Sequence, residues 1–220
     1  MSFVFTARDC FCCRHIRTLP TSNLVLASTS KSRRAILSAF CSSEEPLMVS
    51  SDFDESIINF SDARLLTSSL SYLKAIKVLD THPQLVSDRI VIGVDSLTHI
   101  NGRILGKPKN EQEAREMLNL LSGNTFYLTS GITLVKNHNG DVISHSYSET
   151  TQLKFKKISS EFLDKYIATG EPYYSSGGYF IDSELGNQMV ESINGCVNNV
   201  IGIGISRLNQ ELTTFIDRLK

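Results

Sequence analysis

An apolar run, Val91-Ile92-Gly93-Val94, stops on a carboxylate, Asp95, with Ser96 after it. Such a run reads as a buried strand delivering Asp95 to the carboxyl edge of a sheet, where open α/β folds place their ligands. The plain alternative is a loop aspartate that caps nearby amides. Gly106-Lys107-Pro108-Lys109 follows a short hairpin turning at Asn101-Gly102, a dipeptide that type I′ turns favour, so Lys107 is brought back towards Asp95.

A second group lies nearer the start, at Ser28-Thr29-Ser30-Lys31-Ser32-Arg33-Arg34, between the apolar run Leu24 to Ala27 and the amphipathic stretch Ala35 to Phe40. Hydroxyls at a helix start cap free amides. Three cations in the same first turn oppose the helix dipole, and a bound anion removes that conflict, because hydroxyls, free N–H groups and guanidinium then converge on phosphate. A solvated turn is the competing account. Glu55 closes the acidic stretch Asp52-Phe53-Asp54-Glu55, and Lys74 and Lys77 border the apolar face of a long helix predicted over about 62–79. Most such lysines cover apolar surface, although one could reach a cleft.

Brought together, these groups would supply carboxylates (Asp95, Glu55, and Asp182 or Glu184), cations (Arg33, Lys74, Lys107) and a hydroxyl-rich cradle at Ser28 and Ser30. Carboxylates can hold a magnesium-type ion and accept a proton from water, while the cations offset polyphosphate charge. That is equipment for phosphoryl or nucleotidyl transfer to water. The chain has no GxGxxG after its first strand, no GxxxxGK[ST] loop and no GxSxG elbow, which argues against the usual dinucleotide, ATPase and hydrolase motifs.

The elements that must position these residues alternate between strand and helix. After the Asp95 strand and its hairpin, Asn110 and Glu113 have capping-box spacing for a helix carrying Ala114, Met117, Leu118 and Leu121. The stretches 125–135 and 141–158 read as a long hairpin around Asn139-Gly140, with His138 and His145 on its turn and surface. A short helix over 162–168, the paired Gly177-Gly178, a Gly-interrupted strand over 197–205 and a last helix after Ser206 complete the chain. A net charge of −1 gives no field for nucleic acid or anionic membrane, and no apolar run approaches a bilayer span, so a soluble protein without either partner is expected.

Residues 1–22 show no clear periodicity and read as a peripheral extension, ordered or not, ahead of one domain over 23–220. Three of the five cysteines crowd there at Cys10, Cys12 and Cys13. Even with His15 they lack a second ligand pair, so reduced cytosolic thiols are the simpler reading than a zinc site.

From about Leu24 to Leu212 the chain resembles the Maf family of nucleoside triphosphate pyrophosphatases. The motifs that carry the resemblance are Leu26-Ala27-Ser28-Thr29-Ser30 with Arg33-Arg34, Asp52 to Glu55, Lys74-Ala75, Gly93-Val94-Asp95, Leu105-Gly106-Lys107-Pro108, Leu121-Ser122-Gly123, Ala168-Thr169-Gly170-Glu171-Pro172, Gly177-Gly178-Tyr179 and Asn199-Val200-Ile201-Gly202. The resemblance implies an α/β, Maf/ITPase-like fold: an elongated mixed β-sheet flanked by helices, with two lobes around a deep cleft, commonly as a homodimer. It implies hydrolysis of a nucleoside triphosphate to monophosphate and pyrophosphate with Mg2+ or Mn2+, in the cytoplasm. Asp95, Glu55 and Lys107 would be catalytic, with the metal on Asp95 and Glu55, and Ser28, Ser30, Arg33 and Lys74 would hold the triphosphate.

Base choice would fall to Ser32, Ser96 and Asp182, where the chain departs from the family. A branch acting on dTTP and UTP has arginine, threonine and glutamine there; one acting on 7-methyl-GTP has tryptophan, glutamine and glutamate. Ala27-Ser28-Thr29-Ser30, Arg33-Arg34 and Gly177-Gly178 lean towards the latter branch, and Gly204 stands where the family often has proline. The alternative is a nucleotide-binding regulator, for instance in cell-division control, that keeps the pocket without turnover.

Overall fold

The computed structural model describes residues 7–21, 23–42 and 45–220. Among these residues seven strands form one mixed sheet: β1 (Leu24–Ala27), β2 (Leu47–Met48), β3 (Ile90–Ile100), β4 (Arg103–Leu105), β5 (Thr125–His138), β6 (Asp141–Phe155) and β7 (Val190–Asn194). The order is β2-β1-β3-β5-β6-β7, with β4 paired to β3; β1 is parallel to β2 and β3, and the pairs β3–β4, β3–β5, β5–β6 and β6–β7 are antiparallel. The helices are α1 (Lys31–Ser38), α2 (Ala63–Thr81), α3 (Pro83–Val86), α4 (Glu111–Leu121), α5 (Ser160–Ala168), α6 (Glu184–Met189), α7 (Val197–Ile201) and α8 (Ile205–Asp217).

Alternation along the strands assigns the two faces. Leu24, Leu26, Ile92, Val94, Ile132 and Leu134 pack under α1 and α8, whereas Val25, Val91 and Val135 pack under the Ala75, Val78 and Leu79 face of α2. Beyond them Ile100, Phe126, Leu128 and Phe155 form a third cluster with α4 and α5, where Phe126, Phe155 and Tyr179 meet edge to face. The expected Asn-Gly turns are present: Asn101 and Asn139 have φ of 49° and 54°, followed by Gly102 and Gly140 at 76° and 92°.

Three placements differ from the sequence reading. β3 does not end at Asp95 but runs on to Ile100, because β5 pairs with it from Val91↔Val135 to His99↔Tyr127. The stretch 197–205, expected as a strand, is α7 followed by the start of α8. Gly202 and Ile203 N–H both return to Asn198 O, and Val197 and Ile201 wedge between two core clusters, so packing overrides β-branched propensity. Residues 7–21, expected to be peripheral, bury Cys10, Cys13, Ile16 and Leu19 against α1 and α8. Successive turns, Cys13 N–H to Cys10 O and Ile16 N–H to Cys13 O, carry this i, i+3 spacing, with cysteine acting as a small hydrophobe. Residues 1–6 of that extension lie outside the described residues. Among the described residues no helix is long and apolar enough to cross a membrane.

Candidate active site

Period-two alternation puts Asp95 on the same face of β3 as Val91 and Gly93, the face that α2 covers. Two glycines set how closely that helix lies. A Cβ on Gly93 would stand 1.9 Å from Ser71 O, and one on Gly131, the β5 residue opposite Asp95, 2.3 Å from the Thr67 backbone. Ser71 Oγ fastens the contact through Thr133 Oγ1 at 2.8 Å. At this separation Lys74, one turn beyond Ser71 on α2, reaches the sheet: its Nζ lies 2.6 Å from Asp95 Oδ1 and 2.7 Å from Glu55 Oε1. Glu55 arrives from outside, on a single 3-10 turn over Glu55–Ile57 that Asp54 caps, and its side chain is more than half exposed.

Beside this trio the edge of β3 is notched. β5 occupies one edge, so β1 and β4 share the other, β1 pairing up to Ala27↔Gly93 and β4 from Thr98↔Leu105 onward. Among the described residues, 94–97 between them have no strand partner on that edge. Arg33 fills the β1 side of the gap, donating from one terminal nitrogen to Val94 O and Ser28 Oγ (both 3.2 Å), from the other to Ser96 Oγ (3.0 Å), and from Nε to Gly202 O (3.2 Å). Burial draws the guanidinium below the ordinary arginine value, and the carboxylates of Asp95 and Glu55 oppose that pull. Ser30 caps α1 by accepting from Arg33 N–H, and Ser28 Oγ accepts from Ser30 N–H.

Lys107 stands on the other side of the gap. Continuing the Thr98↔Leu105 register brings it level with Ser96. It is exposed, and among the described residues no hydrogen bond or ion pair joins it to Asp95 or Glu55. Gly106 O accepts from Gly177 N–H at 2.9 Å, and Ser176 Oγ receives the Thr98 N–H at 2.8 Å. The paired glycines thus bring that loop onto the β3–β4 hairpin, and Gly177 takes φ of 76° to do so.

The donor set suits a hard divalent cation. Two carboxylates already converge on one ammonium, and Asp95 Oδ2 is buried with no hydrogen-bond partner among the described residues, a costly state unless a positive ligand faces it. Asp95 and Glu55 are the residues that would hold the ion.

The structure therefore brings Asp95, Glu55, Lys74, Arg33, Ser28, Ser30 and Ser96 together. Ser32 is half-buried on the first turn of α1, and among the described residues no hydrogen bond joins it to that group. Asp182 stands apart, where burial and the neighbouring Glu171 carboxylate raise its pKa and the Tyr166 phenol is close by. Sequence reading missed Ser130, whose hydroxyl meets Ser96 Oγ at 2.8 Å, and the Gly202 carbonyl on Arg33. The fixed pairing Ser96↔Ser130 comes from the β3–β5 register, which no local pattern announces.

The family model for Maf-like protein matches residues 23–215. A dTTP/UTP pyrophosphatase of Clostridium botulinum (strain Kyoto / Type A2) is 36% identical over 192 residues, covering 86% of this chain and 95% of that protein. One of Clostridium novyi (strain NT) is 38% identical over 186 residues, with 84% and 93% covered, and one of Clostridium perfringens (strain SM101 / Type A) is 36% identical over 193, with 87% and 96% covered.

Proposed function

Because the chain belongs to the Maf family, we propose that it hydrolyses a nucleoside triphosphate to the monophosphate and pyrophosphate. The observation that carries this reading is the Lys74 ammonium held between Asp95 and Glu55 beside the notch that Arg33 and Lys107 flank. A triphosphate lying along the notch would meet Ser28 and Arg33 on one side and Lys107 on the other, with Lys74 beneath, so cations offset its charge at several points. Water attacks the α-phosphorus, the bond to the bridging oxygen breaks, and its electron pair leaves with pyrophosphate. The water's proton passes to a carboxylate, for which Asp95 and Glu55 are the groups in reach. A divalent cation, Mg2+ or Mn2+, bound at those two residues would neutralise developing charge on the phosphates.

For the base, Ser96 is at the notch with its hydroxyl engaged by Arg33 and Ser130, and Ser32 precedes Arg33 on α1. The names of the relatives put dTTP and UTP first in a substrate panel, with 7-methyl-GTP as the counterpart that the Gly177-Gly178 motif suggests. The nucleotide pool such an enzyme draws on places it in the cytoplasm, and a homodimer is the assembly that sedimentation should test. Purified protein with magnesium or manganese should release pyrophosphate from at least one triphosphate, and Asp95→Asn should stop it. Tight nucleotide binding with no release from any triphosphate would instead favour a regulator.

A further inference from the structure

Four of the five cysteines meet at one point on the opposite face of the sheet from α2. Cys10, Cys12 and Cys13 come from the N-terminal segment and Cys196 from the residue before α7, and their four Sγ atoms all lie within 4.8 Å of one another. Cys10–Cys12 is 3.2 Å, Cys12–Cys13 3.6 Å, and Cys196 lies 3.7 Å from both Cys10 and Cys13. None is a disulfide, which needs sulfurs at about 2.05 Å. A tetrahedral zinc with bonds of about 2.3 Å places its sulfurs about 3.8 Å apart.

We infer that Cys10, Cys12, Cys13 and Cys196 are the ligands of a structural zinc ion. An iron–sulfur cluster spreads its thiolates over separate irons and fits a group this tight less well, while a closed tetrathiolate site is what zinc takes. Loading forms four zinc–sulfur bonds, and each thiol that enters protonated releases its proton to solvent. The resulting negative charge has the buried Glu149 carboxyl near Cys10 and Cys196 against it and backbone donors for it. Backbone N–H groups of Asn198 and Ser206 point at Cys10 and Cys13, the kind of outer contact that orients metal ligands.

The fourth ligand is already fixed in place. Thr151 Oγ1 bonds both Cys196 N–H and Cys196 O at 3.2 Å, and Asn198 Nδ2 donates to Ala7 O at 2.7 Å. Zinc would therefore staple the N-terminal segment to the start of α7, the short helix that leads to the Gly202 carbonyl on Arg33.

Elemental analysis of the full chain, purified under reducing conditions and dialysed, should find about one zinc per molecule. Cobalt(II) loaded into the metal-free chain should show sulfur-to-metal charge-transfer bands and the intense visible bands of a tetrahedral tetrathiolate, and Asp95→Asn should keep them. Cys13→Ser with Cys196→Ser should abolish both zinc and bands. The cobalt spectrum of the unaltered chain decides the matter even if that variant does not fold. A chain that retains no zinc, a cobalt spectrum of weak octahedral bands only, or a disulfide among these four residues in peptide maps of unreduced protein would overturn the assignment.

Discussion

Lys74 Nζ lies 2.6 Å from Asp95 Oδ1, with side-chain exposures of only 10% and 9%, and the same ammonium meets the more open Glu55 at 2.7 Å. A buried carboxylate whose partner is removed is left uncompensated, which costs about 3 kcal/mol or more. Lys74→Met should therefore unfold at lower denaturant and lose pyrophosphate release. Magnesium should restore part of the stability of that variant, because a cation can again stand between Asp95 and Glu55. Denaturant melts with and without magnesium read this directly; a variant as stable as the parent without metal would contradict the role given to Lys74.

The approach of α2 to the sheet is a second point of leverage. Gly131→Ala puts a methyl group 2.3 Å from the Thr67 backbone, and overpacking of this kind costs about 1–3 kcal/mol. Pushed outward, α2 carries Lys74 away from Asp95, so turnover should fall by more than the stability loss explains at a temperature where the variant is folded. Gly102→Ala is the control: among the described residues nothing but its chain neighbours lies within 4 Å of an added Cβ, and its φ of 76° is what resists the change. Thermal melts paired with initial rates separate the two.

Much of this site was legible in the sequence because it rests on local signals. Hydroxyls and cations at the start of α1, the apolar run ending on Asp95 and the Asn101-Gly102 turn each announce themselves within a few residues. What was not legible depends on pairing across the chain. That β3 continues past Asp95 follows from β5, and that Gly131 sits opposite Asp95 follows from the same register. The cysteines illustrate the limit most plainly, since Cys196 is separated by 186 residues from Cys10 and completes a group that the crowded start alone could not. The helical placement of 197–201 failed for a related reason: its valine and isoleucine pattern suits a strand, and only the two cores on either side select the helix.

The two cations flanking the notch should behave differently. Lys107 is exposed, and among the described residues no hydrogen bond or ion pair holds its side chain, so Lys107→Ala should shift stability by less than about 0.5 kcal/mol while raising KM for the triphosphate. Arg33 bonds Ser28, Val94, Ser96 and Gly202, and lysine cannot reproduce a planar fork of donors. Arg33→Lys should weaken both stability and triphosphate binding, with KM up about tenfold for each 1.4 kcal/mol of binding lost. Equal effects of the two substitutions on melting would argue against this division.

Glu149 supplies a pH dependence separate from catalysis. Its Oε2 is buried, without a hydrogen-bond partner among the described residues, in the space that Gly204 leaves open, where a Cβ would come within 1.9 Å of it. Burial first, with a smaller opposing pull from Arg207 and a further push from the Cys10 sulfur, raises its pKa from 4.5 to about 7. Between those values the folded chain holds a proton that the unfolded chain has released, so stability falls as pH rises through the window and levels off above it. The full displacement is worth about 3 kcal/mol, and residual solvent contact reduces that to roughly 2. Glu149→Gln keeps the side chain's size and removes its titration. Its denaturation free energy should match the parent's pH profile below the window and exceed it above, by about 2 kcal/mol. A parent profile that rises through the same window would mean that Glu149 is ionised in the folded chain, with Arg207 and not burial governing its charge.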